Sequence, residues 1–264
     1  MKGEKTTKKI YIDPGHGGDN PGATYKDRKE SVDVCNMALK VRELLEKQNG
    51  ISVKLSRTAD TDPALTARTT DANNWGADYF LSIHRNAFYP NKATGIEAWV
   101  ISTADTDGKA VNKAKTLVDG LCAVTGLKNR GVKKGAPSYT DYAVNRYSKA
   151  YSCLLELGFV DNDTDNSRWD MCFDEMAQSI AKSLCEIVGV KYVEQFVVGD
   201  VDGDGTVSVN DARTALRAAV KLETLSDEQK KRADTDNSGE IDVTDARAIL
   251  RKAVGLDNRK GDNL

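Results

Sequence analysis

The sequence predicts an α/β fold: a three-layer α/β/α domain with a mostly parallel sheet, followed by a small all-α domain. Short apolar runs of strand length alternate with longer segments whose apolar residues recur at helical spacing. Such alternation is typical of a largely parallel sheet covered by helices on both faces. A duplicated loop-and-helix segment after residue 199 predicts the second, smaller domain.

The composition excludes several classes of protein. A chain of 264 residues with 39% hydrophobic and 30% charged side chains is typical of a globular protein with one large domain or two unequal ones. The net charge of -2 gives no overall basic field, so nucleic acid is not expected as a partner. No apolar run approaches the roughly 20 residues of a membrane span.

The cysteines match no zinc or redox spacing and are expected to be small core residues. They are Cys35, Cys122, Cys153, Cys172 and Cys185. The amino terminus, residues 1–9, is positively charged but no apolar segment follows it, so it is not an intact signal peptide.

The first predicted strand, Ile10–Ile12, ends at a turn of Asp13, Pro14 and Gly15. His16 therefore lies just beyond the carboxyl end of a strand, where open α/β sheets build their sites. The second histidine, His84, follows another apolar run of strand length. Because these are the only two histidines of the chain, their positions indicate one shared site.

The remaining elements of the first domain continue the alternation. Helices are predicted at Glu30–Leu45, Leu65–Trp75, Lys109–Val124 and Trp169–Ile187, and strands at Ile51–Leu55, Tyr79–Ile83, Gly95–Ile101 and Tyr151–Leu155. The Gly- and Tyr-rich segment 129–148 is predicted as a loop with a short strand.

The two histidines indicate a catalytic zinc site, which usually takes three protein ligands and leaves one position for water. No cysteine spacing fits, so the third ligand is expected to be a carboxylate. Glu30 is the best placed, because it begins the helix after the glycine-rich loop. Glu156 follows the last apolar strand, and burial there is expected to raise its pKa towards that of a general base.

Each of these residues also has a purely structural interpretation. A histidine after a strand is commonly a satisfied loop residue. Glu30 also suits a first-turn carboxylate that the helix dipole favours, and Glu156 also suits one half of a structural ion pair. The order of the residues and their positions at strand ends favour the shared site.

Four motifs carry a resemblance to a known family. They are Asp13–Gly18 (DPGHGG), Glu30, Ser82–Ala87 (SIHRNA) and Glu156–Phe159 (ELGF). In this order they resemble the zinc-dependent N-acetylmuramoyl-L-alanine amidases of the AmiC-like (Amidase_3) family, over roughly residues 8–190. The resemblance implies a three-layer α/β/α fold and peptidoglycan as the substrate. It also implies one catalytic zinc held by His16, Glu30 and His84, with Glu156 as the catalytic glutamate.

The implied reaction is hydrolysis of the amide bond between N-acetylmuramic acid and L-alanine by a zinc-activated water, with Glu156 as the proton carrier. Arg85 departs from the family pattern, in which many members have a small residue. It is expected either to contact a substrate carboxylate or to be a solvated charge. Two other functions stay open: a cell-wall-binding remnant with an assembly adaptor, and a zinc peptidase acting on the stem peptide.

The second domain contains two copies of one calcium-loop pattern, which begin at Asp200 and, 34 residues later, at Asp234. Such loops offer oxygen ligands at alternate positions, a carbonyl at position seven and a carboxylate at position twelve, with glycine at position six. Loop one supplies Asp200, Asp202, Asp204, Thr206 (through its carbonyl) and Asp211; loop two supplies Asp234, Asp236, Ser238, Glu240 (through its carbonyl) and Asp245. The pattern predicts two bound calcium ions.

Each loop is followed by a predicted helix, Ala212–Leu222 or Ala246–Leu256, whereas the residues before Asp200 are a poor entering helix for an EF-hand. This duplicated loop and exit helix resembles the dockerin module of cellulosome-type assemblies. The resemblance implies a cohesin module of a scaffold protein as the partner, and the alternative is a calcium sensor. Partner choice would be read at Val209-Asn210 and Val243-Thr244.

The expected domain boundaries follow from these motifs. The zinc amidase domain is predicted at 9–189, a linker at 190–199 and the calcium-binding dockerin at 200–258. Residues 1–8 are expected to be a tail that is disordered or was added for expression, and 259–264 a second tail. We expect the protein to be secreted or at the cell surface, with its leader absent from this chain.

Overall fold

The computed structural model describes residues 7–103, 108–136, 141–194 and 196–256. These residues form two compact units, one up to Val193 and one from Glu194. The predicted tail 259–264 lies outside the described residues, as do residues 1–6 of the predicted tail 1–8. Among the described helices, none has the length and apolar character that a membrane span requires.

The first unit alternates strands and helices, as predicted. Its strands are β1 (Lys8–Pro14), β2 (Thr24–Tyr25), β3 (Arg28–Lys29), β4 (Ile51–Leu55), β5 (Tyr79–Asn86), β6 (Ile96–Val100), β7 (Asn129–Lys134) and β8 (Tyr151–Phe159). Its helices are α1 (Glu30–Glu46), α2 (Leu65–Trp75), α3 (Lys109–Thr125), α4 (Ala143–Arg146), α5 (Asp163–Met171) and α6 (Phe173–Ile187).

Six strands form one sheet in the order β4-β1-β5-β8-β6-β7. The neighbours β4, β1, β5 and β8 are parallel, and so are β6 and β7. Only the junction of β6 with β8 is antiparallel in this sheet of described strands, so the predicted mostly parallel sheet is confirmed. The strands β2 and β3 form a separate hairpin between β1 and α1.

The two faces of the sheet bury different side chains, because successive residues of a strand point to opposite faces. In β1, Ile10 and Ile12 join the main core beneath α1, α3 and α6. Tyr11 points the other way and packs with Phe80, with Ala72 of α2 and with Val144 of α4. Helices therefore cover both faces, which confirms the three-layer fold.

Several predicted elements of the first unit differ in detail. The strands predicted to end before His84 and Glu156 include these residues and extend to Asn86 and Phe159. The helix predicted at Trp169–Ile187 is two helices, because Asn162 caps α5 by accepting hydrogen bonds from two backbone N–H groups and Cys172 separates α5 from α6. The segment 129–148 contains the predicted short strand, β7, and also the short helix α4. All five cysteines are free thiols, of which three are buried and two are half-buried.

The second unit is all-α, as predicted, with helices α7 (Val209–Ala219), α8 (Asp227–Ala233) and α9 (Val243–Ala253). α7 and α9 pack against each other around a small core. Its buried members are Val201, Ala212, Ala215, Leu225, Ala233, Ala246 and Ile249.

The exit helices start earlier than predicted because each has a capping box. Ser208 caps α7 with Asp211 as the reciprocal partner, and Asp242 caps α9 with Asp245. Each helix therefore begins and ends three residues before its predicted bounds. The short helix α8, which the sequence did not predict, directly precedes the second loop, whereas the described residues just before Asp200 form no helix.

Candidate active site

The loop after β1 brings His16 back over the end of the sheet. His16 has a left-handed backbone conformation, with φ at 59°, and the flexible Gly17 follows it with φ at 123°. The loop also passes close to the second histidine: a Cβ on Gly15 would lie 2.2 Å from Cε1 of His84. Only glycine therefore lets the loop approach His84 this closely.

Two buried arginines hold this loop through its backbone carbonyls. Arg57 donates from Nη2 to the carbonyl oxygens of Gly15 and Ser31, both at 2.8 Å, and so connects the loop to the first turn of α1. Arg68 donates to the carbonyl of His16 at 3.2 Å. The loop is thus fixed relative to the helix that carries Glu30.

The structure brings together the three residues predicted as zinc ligands. Glu30, the first residue of α1, is buried. Its Oε1 lies 2.9 Å from Nδ1 of His84 on β5, and its Oε2 lies 3.2 Å from Nε2 of His16. One ligand atom from each residue lies within 4.8 Å of the other two. The geometry agrees with a shared cation site, and the ligand roles stay a prediction.

Further hydrogen bonds orient the same side chains. The backbone N–H groups of Ala23 and Arg85 donate to Glu30, at 2.8 Å and 3.0 Å respectively. Nδ1 of His16 lies 3.1 Å from Oδ1 of Asn20, so the opposite ring nitrogen faces Glu30. Such outer contacts fix ligand orientation in metal sites.

Glu156 lies beside these residues on the neighbouring strand. In the register of β5 and β8, Glu156 is paired with His84. On its other side, Glu156 is paired with Glu97 of β6. Its side chain is buried, and its Oε2 has no hydrogen-bond partner among the described residues. The structure therefore leaves one carboxylate oxygen available next to the cluster.

The pKa values of the cluster are shifted by burial and by near charges. Burial, together with the charges of Glu30 and Glu97, raises the pKa of Glu156 well above its usual value. Burial alone would raise the pKa of Glu30, but hydrogen bonds with His16 and His84 outweigh it and hold that pKa far below its usual range. Burial opposes protonation of His16, but the hydrogen bond and charge of Glu30, the hydrogen bond with Asn20 and the charge of Asp62 together outweigh it and raise the pKa of His16.

A cavity of about 350 Å³ opens at this cluster. Its lining includes the polar site residues His16, Glu30, His84 and Glu156. Apolar side chains also line it, namely Leu65, Ala87, Val144 and Leu154. The cavity can therefore hold a small group that has both polar and apolar parts.

Arg85 lies in neither of the positions expected from the sequence. Its guanidinium is fully buried, so it is not a solvated charge. Asp33 and Asn166 accept its hydrogen bonds at 2.5 Å and 2.7 Å, so the group is engaged within the protein and does not reach out to a substrate carboxylate. The solvated charge expected as one alternative is therefore wrong, and the engaged guanidinium argues against a direct contact with substrate.

One buried carboxylate near the site was missed. Glu97 lies within β6, is buried, and accepts hydrogen bonds from Arg130, Lys133 and the indole of Trp99. A glutamate inside an otherwise apolar strand, Ile96–Val100, is the sequence signal that would have found it.

In the second unit the acidic groups of the loops converge in part as predicted. Asp200, Asp202 and Asp204 form one group that could hold a cation, and Asp234, Asp236 and Asp245 form another. The first group does not include Asp211, whose buried carboxylate accepts hydrogen bonds from three backbone N–H groups. Thr206, Ser238 and Glu240 are exposed loop residues.

The residues predicted to read the partner are exposed. Val209 and Asn210 begin α7, and Val243 and Thr244 occupy the matching positions of α9. Both valines expose 56% of their surface, which is high for an apolar side chain at the start of a helix. The duplicated sequence thus places a similar exposed pair of residues at the amino end of each of the two packed helices.

The fold and the first site together define a class: α/β proteins with a His–Glu–His group and a buried glutamate at the carboxyl end of the sheet. A family model described as N-acetylmuramoyl-L-alanine amidase (Amidase_3) matches residues 10–186, and the chain belongs to this family. A second model, of the dockerin type I domain, matches residues 198–254. Both resemblances inferred from the motifs are confirmed.

Similar proteins and structures agree with this assignment. The sporulation-specific N-acetylmuramoyl-L-alanine amidase of Bacillus subtilis (strain 168) is 36% identical over 161 residues, which cover 61% of this chain and 59% of that protein. The amidase CwlM of Bacillus licheniformis is 36% identical over 175 residues, covering 66% of this chain and 64% of that protein. The chain thus spans about three fifths of the length of these relatives.

Two solved structures share the fold of the first unit. The catalytic domain of the amidase CwlV from Bacillus (Paenibacillus) polymyxa var. colistinus aligns with a TM-score of 0.63 and 30% identity, over 70% of this chain and 100% of that one. An N-acetylmuramoyl-L-alanine amidase from Clostridium difficile 630 aligns with a TM-score of 0.64 and 31% identity, over 70% and 98% of the two chains.

Proposed function

We propose that the first unit hydrolyses the amide bond between N-acetylmuramic acid and L-alanine in peptidoglycan, and that it uses one zinc ion held by His16, Glu30 and His84. The observation that carries the proposal is the convergence of two imidazoles and a carboxylate beside a buried glutamate oxygen without a hydrogen-bond partner among the described residues. Membership of the amidase family supports the same reaction.

The residues fit a catalytic zinc. Two histidines and one glutamate are a donor set that such sites use, with a further position left for water. The surrounding backbone is closely fitted, since a Cβ on Gly22 would lie 2.6 Å from Oε2 of Glu30. When bound, zinc would polarise the substrate carbonyl, lower the pKa of a water molecule and favour the ionised form of Glu156.

The residues of the chain then divide the work. Glu156 accepts a proton from the attacking water and delivers it to the L-alanine nitrogen as the amide bond breaks, for which its free Oε2 is suited. The apolar side chains of Leu65, Val144 and Leu154, which line the cavity, accommodate the methyl groups of the lactyl and alanine moieties.

The test is the release of L-alanine amino termini from purified cell walls by the full chain. Release should disappear on removal of zinc, return when zinc is added back, and be lost in Glu156→Ala. Mass spectrometry of the products distinguishes the cleaved bond: cuts within the stem peptide would identify a zinc peptidase instead. Wall binding without any cleavage by the zinc-loaded chain would identify a binding remnant.

For the second unit we propose two bound calcium ions and a cohesin module of an extracellular scaffold as the partner. The dockerin match and the two aspartate groups support calcium, and the exposed Val209 and Val243 support a partner surface. The chain would then be a secreted enzyme tethered through its carboxyl-terminal unit. Immobilised cohesins should retain the calcium-loaded full chain and release it when calcium is removed; retention that ignores calcium would contradict the proposal.

A further inference from the structure

Arg85 is among the largest fully buried side chains of the protein, and it directly follows His84 on β5. Its backbone N–H donates to Oε1 of Glu30 at 3.0 Å, the same oxygen that lies 2.9 Å from Nδ1 of His84. The backbone of this residue therefore already supports the carboxylate. The side chain points away from Glu30 towards other elements of the unit.

The guanidinium connects β5 to the elements that carry the other site residues. Nη1 donates at 2.5 Å to Asp33, which lies one turn after Glu30 on α1. Nη2 donates to the carbonyl of Phe159 at 3.3 Å, at the end of the strand that carries Glu156. Nη2 also donates to Asn166 of α5 at 2.7 Å.

The guanidinium of Arg85 is held by an aromatic ring as well as by hydrogen bonds from Nη1 and Nη2, while its Nε has no hydrogen-bond partner among the described residues. The guanidinium carbon lies 4.6 Å from the ring centroid of Trp169, so the group is stacked as well as hydrogen-bonded. Asp33 is also held from the solvent side by Arg28, at 3.1 Å. A planar fork with several donors can bridge Asp33 and Asn166 together, which the single ammonium of lysine cannot do in the same way.

We infer that Arg85 is a positioning residue for the zinc site: its contacts with Asp33 and Phe159 hold α1 and β8 in register with β5, so that Glu30, His84 and Glu156 keep their mutual geometry. The inference rests on the zinc site of the proposed function. Outer contacts of this kind commonly set metal affinity, and their loss typically costs about 10- to 100-fold.

The test compares zinc binding by Arg85→Met, Arg85→Lys, Asp33→Asn and the unchanged full chain. The zinc dissociation constant is measured by competition with a chromophoric chelator, and the visible spectrum of the cobalt-loaded protein reports ligand geometry. We expect Arg85→Met to weaken zinc binding about 10- to 100-fold with an altered cobalt spectrum. Arg85→Lys should restore only part of the affinity, and Asp33→Asn should resemble Arg85→Met.

Arg42→Met is the matched control, because Arg42 lies on α1, as Asp33 does, but its ion pair with Glu46 stays within that helix. It should leave the zinc constant and the cobalt spectrum close to those of the unchanged chain. If Arg85→Met fails to fold, Asp33→Asn decides the question with the same measurements. Unchanged zinc affinity in a folded but less heat-stable Arg85 or Asp33 variant would overturn the inference and leave a purely structural role.

The readouts also separate this inference from the proposed function. If the unchanged chain binds zinc tightly but releases no L-alanine amino termini, the amidase proposal fails while the zinc constants still decide the role of Arg85. A raised KM with normal zinc affinity in Arg85→Met would instead return Arg85 to substrate binding and contradict the inference.

Discussion

The two candidate metal regions of this protein are built in opposite ways. His16, Glu30, His84 and Glu156 come from four separate elements of the first unit and meet only because the sheet and α1 are folded. The aspartates of each predicted calcium loop lie within one local segment, the second group spanning Asp234 to Asp245. The core beneath the first site draws on most of its unit, whereas four of the seven buried core residues of the second unit are alanines, which bury little apolar surface.

The difference indicates in which unit the fold positions the predicted ion ligands and in which unit the ion is expected to stabilise the fold. In the first unit the fold places the ligands, so an ion adds chemistry to a structure that already exists. In the second unit the small core contributes less, so we expect the ions to contribute much of the stability.

Glu156→Gln should have the largest effect, because it removes the proton carrier and keeps the shape of the side chain. We expect the rate of wall hydrolysis to fall about 10²- to 10⁴-fold, with the zinc dissociation constant little changed. Glu175→Gln, at an exposed glutamate of α6, is the control and should keep full activity. Near-normal hydrolysis by Glu156→Gln would remove Glu156 from the mechanism.

Adding one metal at a time to the metal-free full chain should separate the two regions. Hydrogen exchange read on peptides from α7 and α9 should slow strongly with calcium and not with zinc. In peptides from β1 and β5, exchange should already be slow in the metal-free chain. At one hundred times its dissociation constant, calcium should stabilise each loop by about 2.7 kcal/mol. Equally slow exchange in both units without metals would contradict the proposed dependence of the second unit on calcium.

Glycine substitutions should act by different physical routes in the two regions. Gly15→Ala places a Cβ 2.2 Å from Cε1 of His84, so we expect zinc affinity to fall at least about tenfold. At Gly239, with φ at 85°, no described atom outside its neighbours lies within 4 Å of an added Cβ. Gly239→Ala should therefore cost only the strain of left-handed backbone, about 1–2 kcal/mol. Isothermal titration should show weaker calcium binding and unchanged zinc binding.

The pH dependence of hydrolysis should show the smallest effect. In the proposed mechanism the ionised form of Glu156 is the active one, so the rate should fall as the pH drops through its pKa, which burial and the charges of Glu30 and Glu97 raise. Removing one of these charges in Glu97→Gln should lower that pKa and move the acid limb of the rate profile to lower pH.

Lys133→Met should move the same limb to higher pH, because the charge of Lys133 lowers the pKa of Glu156. Both variants should be followed as kcat/KM against pH. Shifts of the same sign in the two variants would show that Glu156 does not set the acid limb.

The sequence allowed prediction of the residues that converge, because parallel strands end at one edge of a sheet, where His16 follows β1 and His84 lies near the end of β5. It also allowed prediction of the loops of the second unit, whose ligands are local. It did not reveal the partners of Arg85, since Asp33 and Asn166 lie 52 and 81 residues away in the chain. Such pairings depend on how α1 and α5 pack beside β5, which periodicity does not encode.

The boundaries that were missed have local causes. The capping boxes at Ser208 and Asp242 set the starts of α7 and α9, and side-chain hydrogen bonds there outweigh the apolar periodicity from which the helices were predicted. The cap at Asn162 likewise starts a helix whose exposed polar face gave no apolar pattern.

The most direct measurement is the zinc anomalous signal from crystals of the zinc-loaded full chain, collected above and below the absorption edge. The account predicts one strong peak in the first unit, about 2.0–2.2 Å from ligand atoms of His16, Glu30 and His84, with Glu156 beside it. A first unit folded as described, with no peak between these three side chains, would contradict it.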